Sequence, residues 1–221
     1  LKPGDLFIDA GANIGVYSLV ASRIVREEGQ VISLEPHPHY FSKLVANLNL
    51  NDSANTLPLR VAAGERNEYR DMNMVKEGVF RGGMSSLVSN ENVTDLGEDF
   101  FSSEMVRVIP LDSLDLTVGA SQGVFVKIDV EGFESSVLRG MTDMMVNVRP
   151  LILLEVDPRR IAHLGGSVDD LNKWITSFGY TIFSVETQGG HASLSPWYPS
   201  KGNSSRDLCA IPHENTDKLG I

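Results

Sequence analysis

The 221 residues are 42% hydrophobic and 22% charged, a balance that supports a packed core under a wetted surface and excludes a disordered or collagen-like chain. Twenty-nine acids against nineteen bases leave a formal charge of −10, which repels phosphate backbones and argues against a nucleic-acid partner. One cysteine, Cys209, excludes an internal disulfide and a multi-cysteine zinc site and fits a reducing, cytoplasmic location. The longest apolar runs, such as 151–154, fall far short of a membrane span, so no membrane partner is expected. No basic-then-apolar leader opens the chain, and the start at Leu1 leaves room for a missing N-terminal segment.

Residues 5–9 read as a first strand. A glycine turn follows, then a helical pattern over about 13–26. Within it Ile14, Tyr17, Val20, Ala21 and Ile24 recur at helical spacing and are expected to face the core. Residues 30–35 read as a second strand, ended by Pro36 and Pro38. Phe41, Leu44, Val45 and Leu48 restore a helical period up to Asn51-Asp52, and 56–62 reads as a third strand. Between 64 and 110, glycines and polar residues break the pattern, so an irregular insertion with short strands is expected there. Regular alternation then resumes: a strand at 124–129, a helix near 134–146, a strand at 151–156, a helix near 168–178, and final strands at 180–185 and 207–211. This order predicts one α/β domain over 1–221, with a mostly parallel sheet and helices on both faces.

Asp9-Ala-Gly11-Ala-Asn13-Ile-Gly15 sits where the first strand meets the first helix. In an open parallel sheet, ligands bind at the carboxyl ends of the strands, near the point where strand order reverses. Gly11 permits a tight turn and Gly15 a close helix approach. A dinucleotide site would carry Gly-x-Gly-x-x-Gly. Asp-x-Gly-x-x-x-Gly, with an acid before the first glycine, suits a ligand bearing ammonium and sulfonium charges. Glu35, ending the second strand, is placed to accept hydrogen bonds from ribose hydroxyls. Together these residues describe an S-adenosylmethionine pocket.

Four stretches in fixed order carry a wider likeness: Phe7-Ile-Asp-Ala-Gly-Ala-Asn-Ile-Gly-Val-Tyr-Ser18, Glu35-Pro-His-Pro38, Val126-Lys-Ile-Asp-Val-Glu-Gly-Phe-Glu134 and Arg149-Pro-Leu-Ile-Leu-Leu-Glu155. With Gly83-Met-Ser-Ser-Leu87, this set resembles the FkbM family of S-adenosylmethionine-dependent methyltransferases. The resemblance covers about 1–156 well, and the remainder only in element order. It implies a class I (Rossmann-like) methyltransferase fold, with a seven-stranded, mostly parallel sheet whose last strand is antiparallel. It also implies O-methylation, with sugars and hydroxylated natural products as acceptors.

On this reading Asp9, Gly11, Asn13, Gly15, Ser18, Glu35, Pro36, Ala63 and Asp129 are the cofactor-binding candidates, with Ala62 and Ala63 small enough to admit an adenine ring. Asn13 and Ser18 read equally as a helix cap and a first-turn residue, and Pro36 as a strand stop. Asp129, Glu131 and Glu134 follow the fourth strand and Glu155 ends the fifth. Two alternatives stand for these acids. They contact the cofactor ammonium and the acceptor hydroxyls without a metal, or Asp129 and Glu155 hold Mg²⁺. Glu134 also reads as a plain helix-start acid. Lys127, inside an apolar strand, and Arg149 read as structural. An acceptor hydroxyl needs its proton taken as the new bond forms, and His191, Asp129 and His163 are the catalytic candidates. Glu131, Glu155, Trp197 and Tyr198 are the acceptor-binding candidates, the aromatics as stacking surfaces for a sugar ring. The expected partner is a small-molecule or carbohydrate acceptor, with a homodimer as a possible assembly. N-methylation of a small amine and a non-catalytic module that retains the fold are the competing readings.

Overall fold

The structure, a computed structural model, describes residues 1–75, 101–116, 119, 122–188, 191–199 and 205–219. In chain order it runs through β1 (Leu6–Ala10), α1 (Val16–Val25), β2 (Gln30–Leu34), α2 (Pro38–Leu50), β3 (Thr56–Leu59), β4 (Ala62–Ala63), β5 (Glu68–Val75) and β6 (Phe101–Ile109). A 3₁₀ turn at Leu111–Ser113 leads to β7 (Val124–Ile128), α3 (Glu134–Arg139), α4 (Thr142–Asn147) and β8 (Leu151–Val156). The chain continues through α5 (Pro158–His163), α6 (Val168–Ser177), β9 (Tyr180–Gln188), β10 (His191–Pro196), β11 (Arg206–Pro212) and α7 (His213–Leu219).

The main sheet has the order β10-β9-β11-β8-β7-β1-β2-β3. From β8 to β3 neighbouring strands are parallel. β11 lies antiparallel between β8 and β9. Strand order reverses beside β1, which pairs with β2 on one side and β7 on the other. The sheet has eight strands where the sequence predicts seven. β10 is the addition, folded back on β9 from the pairing of Gln188 with His191. Its residues, His-Ala-Ser-Leu-Ser-Pro, have little intrinsic strand preference, and pairing with a neighbouring strand supplies what propensity does not.

The predicted insertion is more regular than its composition suggests. β5 and β6 are strands of eight and nine residues paired antiparallel. Ala62 and Ala63 leave the line of β3 and pair with β6, which gives a second sheet of order β4-β6-β5. Met72, Met74, Val106, Val108 and Phe133 form its own small core. The Gly83–Leu87 stretch lies outside the described residues.

α1 presents a different face from the one its periodicity predicts. Ser18, Ala21, Ser22 and Val25 are buried, while Tyr17 and Val20 are 51% and 56% exposed, with Ile14 and Ile24 also exposed. The sheet beneath α1 is polar at Asp9 and Ser33, and Ser18 Oγ lies 2.6 Å from Asp9 Oδ2 and 2.7 Å from Ser33 Oγ. Ser18 thus gives Asp9 Oδ2 and the Ser33 hydroxyl a partner, which an isoleucine there would remove.

The helix expected over 134–146 is broken into α3 and α4. A Cβ on Gly140 would lie 1.9 Å from the Gly64 carbonyl oxygen, so the chain passes the second sheet at a distance only glycine allows. The remaining core fills the other face of the main sheet. Ile8, Ala10, Ile128, Ile152 and Leu154 pack there against Val137, Leu138, Met145, Ile161 and Ile175. Arg149, at φ 61, ties the C-terminal helix down. Its Nε and Nη2 reach both oxygens of Glu214 at 2.8 and 2.9 Å, and Nη1 donates to Phe178 O. Among the described residues no helix is long and apolar enough to cross a membrane.

Candidate active site

The ends of β1, β2, β4, β7 and β8 surround a cavity of about 160 Å³. Its walls include Gly11, Asn13, Glu35, Pro36 and Ala63 from the predicted cofactor set, and Asp129, Glu131 and Glu155 from the predicted acid set. Tyr40, Ala62, Met72 and Val130 complete the lining. A groove of about 700 Å³ lies elsewhere, walled by Phe133, Arg139 and Trp174. The smaller cavity is the candidate site, because it lies at the strand carboxyl ends where strand order reverses. It is smaller than the roughly 300–1,000 Å³ usual for ligand pockets, so a ligand longer than a nucleoside extends across its mouth.

The glycine turn is built by two backbone constraints. Gly11 has φ +83, and a Cβ there would lie 1.9 Å from the Asp129 carbonyl oxygen. The two strand ends therefore pack backbone against backbone. Gly15 has φ +92, opens α1 and abuts Leu44 of α2. Between them Asn13, at φ 53, donates its N–H to Glu35 Oε2 at 2.8 Å. His37 N donates to Glu35 Oε1, also at 2.8 Å. Each carboxylate oxygen retains a lone pair for a further donor. Burial raises Glu35 to about 7, against the backbone donors that favour its charge.

Asp9 and Ser18 do not reach the cavity wall. Asp9 is fully buried beneath it and belongs to a charged layer. Lys127, its register partner on β7, places Nζ 3.9 Å from Asp9 Oδ1, 2.9 Å from Asp129 Oδ2 and 4.7 Å from the Tyr17 ring centroid. Burial pushes the Asp9 carboxyl upward, and the Lys127 charge and the Ser18 hydrogen bond oppose it. Lys127 thus joins a buried acid to one that faces the cavity.

At the cavity's far end the carboxyls of Asp129 and Glu155 meet. Burial, then the Asp129 charge and the hydrogen bond between the two acids, raise Glu155, with the carboxylate of Asp207 adding to the effect. Glu155 also accepts from Ser205 at 3.2 Å. Glu131, at φ 58, pairs with Arg160, which also faces Asp157. Among the described residues no three His, Cys, Asp or Glu side chains group as a metal site. The Lys127 ammonium already occupies Asp129 Oδ2, where it competes with a Mg²⁺ ion for that oxygen.

Other predicted residues lie apart. His163 ends α5, exposed and away from the cavity lining. His191 opens β10, and its side chain lies outside the described residues. Trp197 is 8% exposed within the main core, its backbone N–H bound to Ile182 O, and its ring covers apolar side chains instead of facing a sugar. Tyr198 is 77% exposed, away from the cavity. Tyr40 and Met72 carried no signal of their own. Tyr40 reaches the site because Pro38 starts α2 directly after Glu35 and Pro36, and Met72 because β5 folds over from the insertion.

The fold is that of the class I S-adenosylmethionine-dependent methyltransferases. The family model of the methyltransferase FkbM domain matches residues 9–182, and the chain belongs to that family. Hexuronic acid methyltransferase AglP of Haloferax volcanii is 26% identical over 163 residues, covering 72% of this chain and 61% of that protein. The crystal structure of methyltransferase FkbM from Methylobacillus flagellatus superposes with a TM-score of 0.59 at 16% identity, covering 96% of this chain and 44% of that one. Fibrillarin of Aeropyrum pernix, solved with natively bound S-adenosyl-L-methionine, gives 0.52 at 15% identity, covering 95% of this chain and 67% of that one. These structural likenesses are of fold. The chain spans between 10% and 62% of the length of the curated relatives it matches.

Proposed function

We propose that this chain binds S-adenosylmethionine in the 160 Å³ cavity and methylates a hydroxyl of a sugar or another small hydroxylated metabolite. The observation that carries the reading is the pairing of a ribose acceptor, Glu35, at one end of the cavity with two adjoining carboxyls, Asp129 and Glu155, at the other. The residues present fit the cofactor. Glu35 is buried, aimed at the cavity, and has lone pairs for two hydroxyls. Ala62 and Ala63 offer a flat, small-residue wall for a purine, and the acids beyond suit ammonium and sulfonium charge. When bound, the cofactor supplies an electrophilic methyl on a sulfonium.

The chain's own work is to position the acceptor and take its proton. Asp129, held by Lys127, is fixed as a hydrogen-bond acceptor for the hydroxyl. Glu155, raised by its neighbours, is suited to receive the proton. The likeness to a hexuronic acid methyltransferase supports a sugar acceptor.

The test is calorimetric titration with S-adenosylhomocysteine, with NAD as control, followed by an acceptor screen of sugars using methyl-labelled S-adenosylmethionine. Micromolar binding of S-adenosylhomocysteine and none of NAD is expected. Glu35→Ala, still folded, should weaken it by at least roughly tenfold, the loss of two charge-assisted hydrogen bonds. Unchanged affinity in that variant would remove the pocket assignment, and methylation of amines with no hydroxyl product would remove the O-methylation reading.

A further inference from the structure

We propose that Glu134, which does not line the cavity, is the positioning residue for its acidic wall: its carboxylate holds the 129–134 turn in the shape that presents Asp129, Val130 and Glu131. The proposal rests on the cofactor reading above. Those three residues follow β7 directly and all face the cavity. The turn that carries them is unfavourable on its own. Glu131 at φ 58 and Gly132 at φ 104 are consecutive left-handed residues, and the first has a side chain. A non-glycine residue there costs about 1–2 kcal/mol, so something must hold the conformation.

Glu134 holds it from inside. It is 2% exposed, and its Oε1 accepts the N–H of Gly132 at 2.9 Å. The backbone amides of Val130 and of Glu134 itself also favour its charged form. One carboxylate oxygen thus fixes the amide that follows the strained residue. From outside, Gly132 packs on Arg160, where an added Cβ would lie 3.0 Å from the arginine Cβ, and Arg160 pairs with Glu131. The turn is clasped between an inner acid and an outer base.

The energetics indicate that stability is not what the acid provides. Glu134 Oε2 is buried with no hydrogen-bond partner, and burial raises the group to about 7. A neutral side chain of the same shape would suit the fold at least as well. Glutamine keeps one oxygen for the Gly132 N–H but loses the charge that the Val130 and Glu134 amides favour, and aspartate falls one methylene short of Gly132.

The experiment compares wild type, Glu134→Gln and Glu134→Asp as full chains at pH 8, measuring S-adenosylhomocysteine affinity and Tm. The expected result is affinity at least roughly tenfold weaker in both variants, with the Tm of Glu134→Gln equal to or above wild type. An ordinary structural acid predicts the opposite pattern, a lower Tm with intact binding. Wild-type binding together with affinity within about twofold in folded Glu134→Gln overturns the positioning role and leaves the cofactor reading standing. A wild type that does not bind overturns both. Should Glu134→Gln not fold, the wild-type Gly132 amide decides: exchange slowed by at least about a hundredfold supports the clasp, and exchange at the unprotected rate overturns it.

Discussion

At the scale of single residues, the site depends on how closely two backbones approach. Gly11 combines φ +83 with a backbone neighbour 1.9 Å from where its Cβ would lie. A flexible side chain could move aside, but the Asp129 carbonyl is fixed in the chain at the end of β7. Gly11→Ala should therefore cost about 2–4 kcal/mol in urea unfolding, at the upper end of the usual single-substitution range, and should abolish S-adenosylhomocysteine binding. A folded variant with wild-type affinity would mean that the strand ends can separate freely. The spacing Asp9, Gly11, Gly15, Glu35 was legible because each residue answers a local requirement of a strand end or turn. The role of Asp9 was not. Its register partner, Lys127, comes from a strand 118 positions later in the chain, and only that pairing shows Asp9 to be the buried foot of a charged layer.

At the scale of elements, α1 is where periodicity misled. Apolar residues at 14, 17, 20, 21 and 24 share a helical stripe, and so do Ser18, Ala21, Ser22 and Val25, turned by about one residue. Hydrophobicity favours the first. The second is buried because Asp9 and Ser33 need hydroxyl partners and because small side chains let the helix settle closely on the sheet. The two alternatives separate cleanly by mutation. Val20→Lys should change stability by no more than about 0.5 kcal/mol, or a Tm shift of about 2 °C at most in a chain of this length. Val25→Lys, at a position 0% exposed, should lower Tm by far more. The reverse ranking would restore the face that periodicity predicts. The break at Gly140 and the strand β10 were hidden for a related reason. Each is set by a partner remote in sequence, Gly64 for the first and β9 for the second.

At the scale of the whole molecule, acids in and beneath the cavity wall shape the pH dependence of folding. Glu35 and Glu134 stand at about 7, against 4.5 for an ordinary glutamate, and Asp9 and Glu155 are also raised. Between about pH 4.5 and 7 the folded chain holds protons that the unfolded chain has lost, so stability falls as pH rises through that window. Glu214, lowered to about 2 chiefly by its hydrogen bond to Arg149, acts in the other direction and only at acid pH, where its contribution is lost as pH falls below its ordinary value. The unliganded protein should therefore have its highest Tm near pH 5 and a lower one at pH 7.5, and Glu35→Gln should flatten that slope. A Tm rising steadily from pH 5 to 8 would contradict the buried acids.

The sequence by itself determined the alternation of strands and helices, the glycine turn, the acid at the end of the second strand and the acids after the fourth. Each is written in neighbouring residues, where a turn, a cap or a strand end imposes its own residue type. Tertiary structure decided which face of α1 is buried, that Met72, Val130 and Tyr40 join the cavity, and that Trp197 belongs to the core. It also decided that Asp129 meets Lys127 and Glu155. Those outcomes turn on pairings between distant segments. Whether a buried charge or hydroxyl finds a partner is a property of the assembled sheet, and no local pattern of residues encodes it.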